Sequence, residues 1–459
     1  MSDANSTCIV LPVLTVQNSF SEVIKEVQDG FTPYDRFWVS CYKASEPSVH
    51  TKIRAELDDR DRNLVLLKSE EDGVDIKRES SGSYSISCRS LGLPPTTVIT
   101  PVQEYTDKDR ANPAQPQRIT AFDVAPDGSR YATGFLDGSV LIYPTRPTEQ
   151  QVDSLIAQNV EVTTAKTISR PHLSAVQSLK FFPSSQVILS SGLDFSLAVL
   201  PGTLSEGNSR VPTRVSPVRT LRAHTRSVTD TAIIGLGRNI LSASLDSTVK
   251  LWEVSSGDVL ASLATSSGVN RISLGERPPT PPDDESPAPP SSVTDAREQP
   301  EVASKVVFCA LQSGSFELLD LGAKKSVFLS PRGTDGALTS IVYDEAHALL
   351  ATGSARGTVC VYDVRALAAP VTSFRRLETA IQDLVFVHRT NGAVDLAVAT
   401  SDGLPYVASV VPEGPAVRAE LVGPDCDPVK NVVVRSATEG GRLELWSSSD
   451  DSIVRRYVL

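Results

Sequence analysis

The sequence predicts an all-β fold in which one sheet-forming unit is repeated along the chain. Three observations carry that prediction. Short runs rich in Val, Ile and Thr recur from end to end, and β-branched side chains favour a pleated, half-buried backbone. The 31 prolines and 27 glycines cut those runs at frequent turns. A unit of three runs then repeats at near-regular spacing, the mark of a fold assembled from copies of one small element.

The clearest copy is Leu221 to Val254, LRAHTRSVTDTAIIGLGRNILSASLDSTVKLWEV. His224 precedes an alternating apolar strand that begins at Val228. Gly235 to Asn239 forms a turn, and Ile240 to Ser244 a second strand. Leu245-Asp246-Ser247 is a tight turn, and a third strand runs from Thr248 to Glu253 with Trp252 near its end. With His, Asp and Trp at this spacing, the unit resembles the WD-repeat family. The resemblance implies a β-propeller in which His224, Ser242 or Ser244, Asp246 and Trp252 form a hydrogen-bonded network that staples one blade. Buried polar groups have to be paired, so these residue types suit a structural role.

Weaker copies run from Ile119 to Tyr143, Val176 to Leu200 after His172, Val306 to Asp320, Leu338 to Asp363, Ile381 to Val407 and Val429 to Tyr457. Their tight turns fall at positions 137, 194, 246, 314, 356, 402 and 450, one blade apart except before the fourth. The expected fold is therefore all-β: a seven-bladed WD-repeat β-propeller over residues 96–459, preceded by a small, mostly β amino-terminal domain over residues 1–95. The last copy ends on its third strand, Ile453 to Val458. A segment near Thr96 to Tyr105 is expected to supply the missing outer strand, since a bare sheet edge invites aggregation.

Residues 276–301 (ERPPTPPDDESPAPPSSVTDAREQPE) hold eight prolines and seven acids against two arginines. Such a segment has almost nothing to bury and is expected to be a disordered surface insertion, with Thr-Pro and Ser-Pro dipeptides open to phosphorylation. In the amino-terminal domain, Ser19 to Gln28 reads as a short amphipathic helix with Phe20, Val23, Ile24 and Val27 on one face. Alternating runs follow at Phe37–Tyr42, Val49–Leu57, Asn63–Lys68 and Tyr84–Cys88.

The formal charge of −11 argues against nucleic acid, whose binding rests on Lys and Arg neutralising phosphates, and against an anionic membrane. It favours a basic partner. The apolar run from Cys8 to Val16 is too short to span a bilayer and lacks a basic flank, so neither a membrane helix nor a signal peptide is expected. Six scattered cysteines without a paired spacing suit a reducing compartment, the cytosol or nucleus. There is no GxxxxGK loop, GxSxG elbow or HExxH helix, and no His/Cys cluster with zinc-ligand spacing. No catalysis, cofactor or metal is expected.

What remains is a binding surface. The third residue of each first strand is expected to face the rim of a central channel. Ala121, Ser178, Asp230, Ser340, Asp383 and Asn431 hold that place, without a Lys or Arg among them. The loops leading into these strands add Arg226, Glu378, Asp425 and Asp427. One mouth of the ring is thus expected to be net acidic and to dock a basic protein surface.

Four stretches narrow the resemblance: DTAIIGLGRNILSASLDSTVKLW (Asp230 to Trp252), LVGPDCDPV (Leu421 to Val429), DDSIVRRYVL (Asp450 to Leu459), and FWVSCYKASEPSV (Phe37 to Val49), the last outside the repeats. They are similar to the proteasomal ATPase-associated factor family, WD-repeat assembly chaperones of the base of the proteasome regulatory particle. This implies a partner, the carboxy-terminal domain of an AAA-type ATPase subunit of that base. It implies a mechanism too, steric blocking of premature docking on the core particle by a propeller that is monomeric alone. The alternatives are other WD-repeat scaffolds, such as a ubiquitin-ligase substrate receptor or a ribosome-assembly factor.

Overall fold

The computed structural model describes residues 8–58, 60–61, 64–71, 73–80, 82–112, 115–145, 156–162, 166–204, 212–277, 295–298, 302–436 and 442–459. Among these the regular elements are one α-helix, Phe20–Gln28, one short 3-10 turn, and strands. No helix of the described residues is long and apolar enough to cross a membrane.

Seven sheets begin with strands Ile119–Val124, Val176–Phe181, Val228–Ile234, Val269–Glu276, Leu338–Asp344, Ile381–His388 and Val429–Ser436. In each, the first four strands pair antiparallel in turn, outward from this first strand. Each first strand contacts the next, and the seventh contacts the first, so the sheets form a closed cycle. The strands nearest the cycle are apolar on both faces because each sheet packs between two neighbours: Leu241, Ala243, Val249 and Leu251 of the third sheet share a core with Val307, Cys309 and Leu311 of the fourth. The result is an all-β, propeller-type ring.

Two local devices repeat around that ring. Each first strand carries a register shift after its first residue, as between Val228 and Asp230, which turns the next paired residue toward the channel. The turn between second and third strands places one residue in the left-handed region in every sheet, at Gly138, Phe195, Ser247, Gly314, Gly357, Gly403 and Ser452. At Gly138 an added Cβ would lie 2.2 Å from the His172 carbonyl, so that turn requires glycine. These positions refine two turn assignments. The aspartate preceding the left-handed residue in the last sheet is Asp451 rather than Asp450, and in the fourth sheet that place belongs to Ser313.

The ring is fastened by the amino-terminal part of the chain. Gln103–Thr106 pairs antiparallel with the last strand, Ile453–Val458, and Tyr105 stacks on Trp446 with ring centroids 5.4 Å apart. The outer strand of the last sheet thus comes from the far end of the expected segment. Leu93–Ile99 instead adds in parallel to Val417–Leu421 of the sixth sheet and continues that sheet through Ser83–Cys88 to Val74–Ser80. It runs across the expected boundary at residue 95. The helix packs Phe20, Val23, Ile24 and Val27 against Phe37, Val39, Ile53 and Tyr84 in a separate core.

The insertion lies between the first two strands of the fourth sheet, where Glu276 pairs with Lys305. Residues 278–294 and 299–301 lie outside the described residues. The stretch 295–298 is not a loose loop: Glu298 is 1 % exposed and holds Lys324 at 2.8 Å, while Arg297 pairs with Asp295 and Asp258. A buried carboxylate that is paired in this way anchors the backbone around it.

Candidate functional site

The polar network of the third sheet has a defined proton order. His224 Nδ1 lies 2.8 Å from Asp246 Oδ2, and a carboxylate can only accept, so Nδ1 carries the proton. Trp252 Nε1 donates to Ser242 Oγ at 2.8 Å, which leaves the Ser242 hydroxyl to donate to His224 Nε2 at 2.7 Å. Asp246 also accepts the backbone N–H groups of Thr225 and Thr248. The serine in the network is Ser242; Ser244 bonds the Arg226 carbonyl instead. A second network sits 52 residues earlier, with His172 between Asp194 at 3.0 Å and Ser190 at 2.9 Å, and apolar Leu200 in the place of the tryptophan.

Burial holds both imidazoles below their usual range against the pull of Asp194 and Asp246. This fixes the sign of a pH effect. Below about pH 6.5 the unfolded chain binds protons at these histidines that the native chain refuses. Stability is therefore full above that pH and falls as pH drops toward the lower native values. Urea midpoints at about pH 7.5 and 5.5 are expected to differ less in a His172→Gln, His224→Gln double variant than in the natural chain; an equal difference contradicts the assignment.

The channel corrects the expected acidic rim. Asp230 is 4 % exposed and fully engaged: it accepts from the Ser178 hydroxyl at 3.0 Å, from Thr231 N–H, and from Ile272 N–H of the next sheet at 3.0 Å. Asp383 is half-buried and accepts from Val432 N–H, again across to the next sheet, as Asp123 does from Phe181 N–H. These acids tie neighbouring sheets together. They are also balanced, because the fourth sheet puts Arg271 at the same bulge position, with Nη1 3.8 Å from Asp230. Lys180 joins them in the channel, where burial disfavours its charge but Asp123, Asp230 and Asp383 together raise its pKa. Arg271 escaped the sequence reading because the insertion separates its strand from the rest of the fourth repeat.

Of the loop residues, Arg226 and Glu378 are exposed and precede the first strands of the third and sixth sheets. Asp425 and Asp451 act electrostatically on Asp427, and Asp427 and Asp451 act on Asp450, so the four acids form one cluster. A groove of about 900 Å³ lies beside them, lined by Asp427, Asp450, Asp137, Arg118, Phe135 and Leu136 among others. Leu136 is 57 % exposed, and Arg110 lies over the Phe135 ring at 4.6 Å, so the groove has an apolar side. Asp450 is 6 % exposed, and its Oδ1 has no hydrogen-bond donor, while its Oδ2 is 3.6 Å from Arg118. Burial, aided by Asp427 and Asp451, raises Asp450 above the usual carboxylate range against Lys430 and Arg118; burial and Asp451 raise Asp427 against Arg455. An incoming cation would relieve that crowding. The turn residue is Asp451, which accepts from Ile453 N–H, and Asp450, expected at the turn, is left over.

The WD domain, G-beta repeat family model matches residues 215–253, the span that contains the network of His224, Ser242, Asp246 and Trp252. Residues 215–253 thus carry a WD-type repeat. Similar curated proteins include WD repeat-containing protein 18 of Bos taurus, 27 % identical over 50 % of this chain and 51 % of that protein. Ribosome biogenesis protein ytm1 of Botryotinia fuckeliana (strain B05.10) is 27 % identical over 43 % of this chain and 42 % of its own length. Pre-mRNA-processing factor 19 of Oryza sativa subsp. japonica is 23 % identical over 42 % and 33 %. The chain spans about half or less of the length of these relatives.

Proposed function

We propose that this protein is a seven-bladed WD-repeat propeller, each of the seven sheets one blade, with an amino-terminal domain over residues 1–95. It acts without catalysis as an assembly chaperone of the proteasome regulatory particle base. It holds the carboxy-terminal domain of one AAA-type ATPase subunit, and its bulk blocks premature docking on the core particle. The observation that carries this reading is a coincidence of place. Two stretches that resemble the proteasomal ATPase-associated factors, Leu421 to Val429 and Asp450 to Leu459, supply Asp427 and Asp450 to the groove lining, with Asp425 and Asp451 acting on Asp427. A repeat scaffold needs none of Asp425, Asp427 or Asp450 for its turns, which leaves them for a basic partner.

A second reading, a ribosome-assembly scaffold, is favoured by the similarity to ytm1. Native co-purification followed by mass spectrometry separates the two. The first expects free ATPase subunits of the base; pre-ribosomal particles or cullin adaptors in their place would replace it.

A further inference from the structure

The fifth and sixth sheets meet at a cluster that the sequence spacing did not reveal. Asp344 ends the first strand of the fifth sheet, and His388 ends the first strand of the sixth. The turn after Asp344 brings His347 back over it, with Ala348 in the left-handed region at φ 53°. One carboxylate oxygen, Asp344 Oδ2, lies 2.7 Å from His347 Nδ1 and 3.0 Å from His388 Nε2. The other, Oδ1, accepts from Ala346 N–H at 3.3 Å, which holds the carboxylate in orientation. All three potential ligand atoms lie within 4.8 Å of one another.

We propose that Asp344, His347 and His388 form a binding site for one divalent transition-metal ion, with zinc the ion of choice. Two imidazoles and a carboxylate are the donor set that suits zinc, nickel or copper and disfavours magnesium and calcium. In a tetrahedral zinc site with bonds of about 2.1 Å, neighbouring ligand atoms stand about 3.4 Å apart. The two nitrogens therefore need to withdraw from the carboxylate by only a few tenths of an ångström to admit the ion, roughly the difference between those spacings. Both rings can move: the side chains of His347 and His388 are 40 % and 50 % exposed, whereas that of Asp344 is 6 % exposed. The buried residue supplies the charge and the exposed ones the adjustable ligands. Three protein ligands leave a fourth position open for water or for a donor from outside. The bound ion clamps two neighbouring sheets at the far ends of their first strands, away from the acidic groove.

The test is zinc titration of the full chain by calorimetry under reducing conditions, with cobalt as an absorbing substitute. One zinc per chain is expected, with no response to magnesium. His347→Ala and His388→Ala, both at exposed positions, are each expected to weaken zinc binding by about tenfold or more. Zinc is expected to raise the melting temperature of the natural chain and not of the variants. Asp344→Asn gives a third check, read together with circular dichroism because the residue is buried. Affinity unchanged in both histidine variants overturns the site. So does failure to take up zinc, or a cobalt spectrum dominated by thiolate charge transfer, which would point to the exposed Cys8 or Cys426.

Discussion

Asp230→Ala is expected to destabilise the protein by about 3–5 kcal/mol, the scale of breaking a buried charged interaction. The reason is position. Asp230 is the shared acceptor for the Ser178 hydroxyl of the second sheet and the Ile272 N–H of the fourth, so one side chain spans three successive sheets. Its loss leaves the buried Ile272 N–H without its acceptor, at about 1–3 kcal/mol, leaves the Ser178 hydroxyl with Thr231 alone, and removes a counter-charge from Arg271. Against a total stability of about 5–15 kcal/mol this is a large share. Asp425→Ala, at an exposed loop position, is expected to change stability by no more than about 0.5 kcal/mol. Chemical unfolding of the two variants decides between a fastening and a docking role for Asp230. An Asp230→Ala midpoint equal to that of Asp425→Ala contradicts the fastening.

A chain that begins at Arg118 is expected to aggregate. It lacks Gln103–Thr106, so the last strand of the seventh sheet loses its outer neighbour, and it lacks Leu93–Ile99, so the sixth sheet loses its continuation. Two long edges then face solvent. It also strips charges that the remaining chain needs. Lys166, with only 3 % of its side chain exposed, is held by Asp107 at 2.8 Å and Asp109 at 2.7 Å. Arg455, 4 % exposed, is held partly by Glu104 at 2.9 Å. An orphaned buried cation costs about 3–5 kcal/mol. Light scattering after size exclusion checks the outcome; a soluble, folded monomer would show that the amino-terminal strands are not what fastens the ring.

The ring was legible because its local signals are strong and repeat. The alternating strands, the turn aspartates and the His224, Asp246 and Trp252 spacing each follow from short-range chemistry that a single repeat contains. The face of the helix at Phe20, Val23, Ile24 and Val27 was legible for the same reason. The site was less so. Asp230 and Asp383 could be assigned to first strands, yet whether each meets solvent or a neighbouring sheet's N–H depends on contacts some 40–50 residues away in sequence. Arg271 was hidden by the insertion. Asp450 looked like the turn residue because two aspartates stand side by side, and only the backbone conformation at Ser452 tells them apart. The cluster of Asp344, His347 and His388 needs the packing of two sheets and has no signal in a linear spacing.

The reading of this scaffold as the holder of a basic protein surface rests on the groove beside Asp427 and Asp450. The most direct measurement is the dissociation constant for the isolated carboxy-terminal domain of a base ATPase subunit. It is taken for the natural chain, Asp427→Lys and Asp450→Asn, between about 0.05 and 0.3 M salt. Binding is expected to weaken with salt and to fall by about tenfold or more in Asp427→Lys, a loss of about 1.4 kcal/mol. Asp450→Asn is expected to bind more weakly without melting earlier, because it removes a crowded, buried charge. Affinities that are the same in all three chains, or insensitive to salt, would contradict the account.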